Sequence, residues 1–247
     1  MASCHVRQDG STAVVTLTRP PANAMDADSL DDLADVIERL SDDADVAAVV
    51  LTGDGRSFSA GLDLKAIQHS SDDEQERLID ALNRAFLTVF SCPRLVVAAV
   101  NGHAIAGGLV LALCADVRLV ADTPLKAGLA EVRVGVPFPV GALEVVRHEL
   151  TAPAARRLVL TGELVDAKEA VALGVFDRVV SPDDLLSAAM SVAVDVPPRD
   201  AFAAVKAQLR RAAIEPMRAS LDGNDPLRRP WLTDETFAAA AATLARG

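Results

Sequence analysis

Tyrosine is absent from this chain of 247 residues, and aromatic residues make up only 3% of it. Its interior cannot rest on stacked rings. With 51% hydrophobic residues, the core must come from Ala, Val and Leu, which suits an α/β layering of buried strands and small-residue helices. Cysteine is scarce as well. Cys4, Cys92 and Cys114 are odd in number and fall at no metal or CxxC spacing, so reduced thiols in a cytoplasmic protein are expected. Cations are outnumbered, with 24 Lys and Arg against 35 Asp and Glu, a formal charge of −11. That argues against nucleic-acid binding, which draws its affinity from basic side chains on phosphates. No apolar run approaches the ~18–20 residues that cross a bilayer, so no membrane association is expected. The opening MASCHVRQDGST has neither the basic start nor the apolar stretch of an export signal. His5, His69 and His148 have no partners at ligand spacing, so no metal is expected.

What is present has a rhythm. Residues 6–8 and 13–18 read as two strands of a hairpin around DGST. Leu30, Leu33, Ile37 and Leu40 recur at helical spacing, and a second helix runs over about 71–90 with Leu78, Leu82, Phe86 and Val89 on one face. Apolar strands are expected at 47–52, 95–100 and 116–121, with a late edge strand in GVFDRVV. Only helical patterns follow residue 181, broken at 196–198 and 225–230. Strands alternating with helices predict parallel βαβ units. The expected organisation is a core over 1–180 and a helical region over 181–247.

Two strand-end stretches, read as loops, are rich in small residues: Phe58-Ser59-Ala60-Gly61-Leu62-Asp63-Leu64 and Asn101-Gly102-His103-Ala104-Ile105-Ala106-Gly107-Gly108. Small residues ahead of a helix let a ligand approach free N–H donors. By themselves they read equally as an anion or oxyanion site or as two tight turns.

Taken together the motifs are more specific. FSAGLDL, AAVNGHAIAGGLVLALCADVRLVAD and GLAEVRVGVPFP, in that order and spacing and preceded by RPPANAM, resemble the linked blocks of the crotonase superfamily over about residues 13–180. The resemblance implies a crotonase-like spiral of ββα units making two sheets, a C-terminal helical region, and a homotrimer or hexamer joined from Phe202 onward. It implies an acyl-CoA substrate, a CoA thioester rather than a separate cofactor. It places oxyanion donors at the backbone N–H groups of Ala60 and Gly107, with Gly61, Leu62 and Asp63 lining the groove. A thioester enolate would rest against those donors. Arg19, Arg56 and Lys65 are the candidate cations for the CoA phosphates; each also reads as ordinary surface charge.

The acids decide the reaction. Family hydratases use two glutamates; here the first position is Val110 and the second is Glu131. One carboxylate suffices to move a proton from C2 to C4 of a 3-enoyl chain, whereas adding water calls for more. GLAE is similar to the GLNE of mitochondrial-type Δ3,Δ2-enoyl-CoA isomerases, departing at Ala130. An isomerase is therefore expected, with an atypical hydratase using Glu144, or a non-catalytic acyl-CoA binder, as the alternatives. Glu131 could also be a solvated loop carboxylate, and Glu144 an ion-paired helix residue beside Arg147 or His148. Asp63 could cap the following segment, Asp116 is expected to cap or pair structurally, and His103 to pack. GDGRSFS is not a nucleophile elbow and VLTGDG is not a dinucleotide fingerprint.

Overall fold

The computed structural model describes residues 3–63 and 70–228, with residues 233, 236, 238, 239 and 242 beyond them. β1 (Cys4–Asp9) and β2 (Thr12–Leu17) form the expected antiparallel hairpin. α1 (Ala27–Asp42) starts at a reciprocal cap in which the Ser29 N–H donates to Asp26 and the Asp26 N–H to Ser29 Oγ. Then come β3 (Ala48–Gly53), β4 (Ser57–Ser59) and α2 (Asp72–Ser91). β5 (Leu95–Val100), β6 (His103–Ile105) and α3 (Gly107–Leu113) follow. Next are β7 (Val117–Ala121), β8 (Ala127–Gly128), a 3-10 turn at Glu131–Val134 and α4 (Val140–Glu149). α5 (Ala152–Ala155), β9 (Leu164–Val165), α6 (Ala167–Ala172), β10 (Arg178–Val180), α7 (Leu185–Val194) and α8 (Arg199–Ala219) complete the order.

The strands sort into two sheets. A six-stranded sheet runs β1-β2-β3-β5-β7-β10, parallel from β2 onward. Both of its faces are covered. Val49, Leu51, Val96, Ala98 and Val100 join the main core, while Ala48, Val50, Val97 and Ala99 pack with Leu185, Ala189 and Ala193 of α7. That is why the strands at 47–52 and 95–100 read as continuous apolar runs rather than alternating ones.

In the second sheet, β4-β6-β8-β9, the first three strands come from stretches whose sequence reads as loop, and β9 from one whose sequence reads as helical. Its strands are two or three residues long, too short for any periodicity to show. Each of β3-β4-α2, β5-β6-α3 and β7-β8-α4 places one strand in the large sheet, the next in the small one, and then a helix. This is the ββα repeat that the resemblance implies.

α8 is tied to the core by buried charge. Lys206 Nζ lies 2.7 Å from Asp116 Oδ2, and Arg210 reaches both Asp116 at 3.1 Å and Glu149 at 3.2 Å. Arg118 completes the network at 2.8 Å from Glu149. Arg210 also donates to the carbonyls of Phe90, Cys114 and Ala115 and stacks over the Phe90 ring. Asp116 is thus paired structurally, as expected.

Candidate active site

β4 pairs parallel with β6, and β6 with β8, so three segments leave the same end of the small sheet together. They are residues 60–63, 106–108 and 129–131. The first two touch. A Cβ built on Gly61 would stand 2.8 Å from the Ile105 carbonyl oxygen and 3.2 Å from the Gly107 nitrogen. Gly61 also has φ of +81°, so both its conformation and its crowding require glycine.

Which amides face the site follows from accounting for each hydrogen bond. The Ala60 N–H donates to the Ala22 carbonyl at 3.0 Å, and the Gly61 N–H to Ser59 Oγ at 3.2 Å. The Met25 N–H donates to the Gly61 carbonyl at 2.7 Å, and the Asp63 N–H to the Met25 carbonyl at 2.8 Å. These last two bonds make a parallel bridge centred on Leu62, whose own N–H then points away from Met25. Among the described residues the Leu62 N–H has no acceptor. The expectation that Ala60 supplies a donor is therefore corrected: its amide is engaged, and the available one on this loop is two residues on.

On the second chain, the Ala106 N–H still bonds the Gly128 carbonyl at 2.8 Å, and the Ala106 carbonyl accepts from Leu109 and Val110. Between them Ala106 holds φ 51° and ψ −127°, outside both the helical and the strand regions. The Gly107 N–H, on the peptide whose carbonyl accepts the first helical bonds, is thereby out of the ladder and is one of the unbonded donors of the helix's first turn. That N–H has no acceptor among the described residues either. Against Gly107 lie the ends of Met25 and Phe86, which a Cβ there would meet at 3.0 and 3.8 Å.

Glu131 opens the 3-10 turn on the third chain. Its side chain is buried, and Oε2 has no hydrogen-bond partner among the described residues. Burial pushes its carboxyl up to about 7, with a hydrogen bond from its own backbone N–H acting the other way. A solvated loop carboxylate this is not. Such a group can hold or release a proton near neutral pH. Val110, at the position of the first hydratase acid, is wholly buried and apolar.

The remaining candidates separate. Arg19 and Asp63, both expected to face substrate, face each other at 3.0 Å, and Arg19 also holds Asp26 at 2.7 Å and the Ala24 carbonyl. Two carboxylates on one guanidinium leave it a poor phosphate ligand, so its assignment to CoA is corrected. Lys65 lies outside the described residues. Arg56 is exposed. Glu144 pairs with Arg147 at 3.0 Å, the ion-paired reading. His103 Nδ1 accepts from the Lys126 N–H at 3.0 Å within the small sheet. Among the described residues, no group of three or more His, Cys, Asp or Glu could hold a metal ion, and no helix is long and apolar enough to cross a membrane.

Asn23 went unnoticed in the sequence. Buried at φ 52°, it donates to the carbonyls of Asp54 and Ser57 and accepts the Arg19 N–H, while its own carbonyl takes Ser59 Oγ. It clamps the first loop. The one available signal was its place in RPPANAM.

The enoyl-CoA hydratase/isomerase family model matches residues 7–233. A probable enoyl-CoA hydratase of Mycobacterium tuberculosis, EchA17, is 38% identical over 205 residues, covering 81% of this chain and 77% of that one. The short-chain-enoyl-CoA hydratase of Clostridium acetobutylicum is 32% identical over 190 residues, covering 76% and 72%. Among solved structures, human mitochondrial Δ3,Δ2-enoyl-CoA isomerase superposes with a TM-score of 0.90 at 27% identity, covering 99% of this chain and 97% of that one. The chain belongs to the enoyl-CoA hydratase/isomerase family, with the crotonase fold.

Proposed function

We propose that this enzyme is a Δ3,Δ2-enoyl-CoA isomerase working with a single acid/base. The observation that carries the reading is Glu131, a buried carboxylate with an unpartnered oxygen, with buried Val110 where a second acid would stand. The thioester carbonyl of a 3-enoyl-CoA accepts hydrogen bonds from the Leu62 and Gly107 N–H groups. Glu131 takes the proton from C2, and the resulting dienolate carries its charge on the oxygen held by those amides. Glu131 then returns the proton to C4, leaving the double bond between C2 and C3. Coenzyme A enters and leaves as part of the substrate, and no further cofactor takes part.

The test is direct. With 3-hexenoyl-CoA, the conjugated thioester absorbance rises on isomerisation; with crotonyl-CoA it falls on hydration. Wild type should isomerise the first far faster than it hydrates the second, and Glu131→Gln should lose about 10²–10⁴-fold in kcat while still binding acyl-CoA. Normal isomerisation by that variant would clear Glu131 of the role. Faster hydration than isomerisation by wild type would favour the hydratase reading, which the names of the two relatives support. Binding with no turnover would leave an acyl-CoA binder.

Assembly belongs to the same reading. Val205 and Leu209, one turn apart on α8, are 62% and 70% exposed, and such a stripe supports a homotrimer or hexamer joined through the region from 181 onward. Sedimentation should give three or six chains; a monomer at micromolar concentration would refute this.

A further inference from the structure

Apart from its own backbone N–H, no described group holds the Glu131 carboxylate. Its position depends on the loop that carries it, which Arg133 Nε ties to the Gly162 carbonyl at 2.6 Å and which is held at both ends. One end is β8, locked into the small sheet beside β6. The other is the first turn of α4, where Pro139 stands at the N-cap and offers no side-chain acceptor. The caps come from distant chain. The Val140 N–H donates to Asp225 Oδ2 at 2.8 Å, and the Gly141 N–H to Asn83 Oδ1 at 2.8 Å. Asn83 Nδ2, on α2, donates to the same Asp225 oxygen at 2.8 Å, and Asp225 Oδ1 takes the Leu227 N–H at 2.8 Å. Both side chains are buried. Three residues on, Arg228 pairs with Asp80 at 2.9 Å and Glu76 at 3.7 Å, holding the segment that carries Asp225 against α2.

We propose that Asp225, acting with Asn83 through the first turn of α4, is a positioning residue for Glu131. A buried carboxylate that accepts N–H groups from α2, from α4 and from its own segment fixes all three relative to one another. Glu131 sits between that anchor and the sheet. The structure thus makes a segment beyond α8 responsible for where the base stands over the substrate. This rests on the reading of Glu131 as the base.

The experiment compares pH–rate profiles of 3-hexenoyl-CoA isomerisation for wild type, Asp225→Ala, Asp225→Asn and Glu131→Gln. Asp225→Ala should lower kcat by about tenfold or more at a KM within about threefold of wild type, because displacing a base by an ångström suffices for that. It should also move the acid limb about one pH unit lower, as the released loop lets water reach Glu131. Asp225→Asn keeps an oxygen for Val140 and Asn83 but turns an NH2 toward the Leu227 N–H, so it should recover part of both effects. If Asp225→Ala does not fold, Asn83→Ala takes its place, removing the Gly141 acceptor and one N–H donor to Asp225 while leaving the Val140 bond, with the same direction expected. An acid limb that stays put in every folded variant overturns the proposal even where kcat falls, since a merely structural residue would not move it. Failure of the underlying reading looks different: Glu131→Gln would then retain wild-type rate whatever happens at residue 225.

Discussion

A carboxyl group buried with one oxygen unpartnered is held in its neutral form well above the pH at which it would ionise in water. For Glu131 the folded value is about 7 against an ordinary 4.5. The folded state therefore binds more protons than the unfolded state between these values. Stability from the neutral carboxyl is fully present below 4.5 and is lost as pH rises through 7, a swing of about 3 kcal/mol. Glu131→Gln removes the ionisation, so its melting temperature should match wild type near pH 4 and exceed it by several degrees at pH 8. Equal melting temperatures at both pH values would show that the carboxyl is not held neutral. On the proposed mechanism activity moves oppositely, because a carboxylate base acts only when ionised: kcat/KM should climb with pH through about 7. Also at this scale, replacing the Leu62 amide by an ester should cost about 10²–10³-fold in kcat. The same replacement at Ala60 removes only its bond to Ala22 and should weaken the fold while sparing turnover per folded molecule. The reverse pattern would return the donor to Ala60.

Among the elements, the small sheet has strands of two or three residues, and little ladder bonding of its own. It holds its place through contacts that glycine makes possible. A Cβ on Gly108 would fall 2.2 Å from the Ser59 carbonyl oxygen and 2.7 Å from its carbon, both backbone atoms that cannot rotate away. Gly108→Ala must therefore push the start of α3 from the end of β4, separating the chains that carry Gly107 and Leu62. The expected result is a loss of about 1–3 kcal/mol in urea unfolding, with kcat reduced at least about tenfold in the molecules that fold. Wild-type kinetics in this variant would mean that the spacing of those two loops does not matter to catalysis.

At the scale of the whole molecule, charge buried between α8 and the sheets joins the late helices to the strands. Arg210 is the centre, serving Asp116, Glu149 and three carbonyls at once. Burial pulls Lys206 below its ordinary range, partly offset by Asp116, so Lys206 is a weak substitute when Arg210 is gone. Arg210→Ala should destabilise the fold by about 3–5 kcal/mol, measured by urea denaturation, because two largely buried acids and three carbonyls lose a partner. Cys114 is enclosed by the same network and its thiol is raised by burial, so it should react with thiol reagents only on unfolding, and earlier in denaturant for that variant. Labelling of native wild type at the rate of a free thiol would contradict the packing described.

Local chemistry determined much of this protein. Apolar runs at 47–52 and 95–100 marked strands covered on both faces, the spacing of Leu30, Leu33 and Ile37 marked α1, and the small residues of two strand-end stretches, with Glu131, marked the candidate site. Tertiary structure decided the rest. Along an extended chain successive N–H groups point to opposite sides, so whether residue 60 or 62 faces the substrate depends on which side Ala22 and Met25 occupy. Arg19 looked free until the fold brought Asp63 to it, and strands of three residues exist only because a neighbour pairs with them. Asn83, Val140 and Asp225 meet across long stretches of chain, and no spacing in the sequence records an encounter made by folding alone.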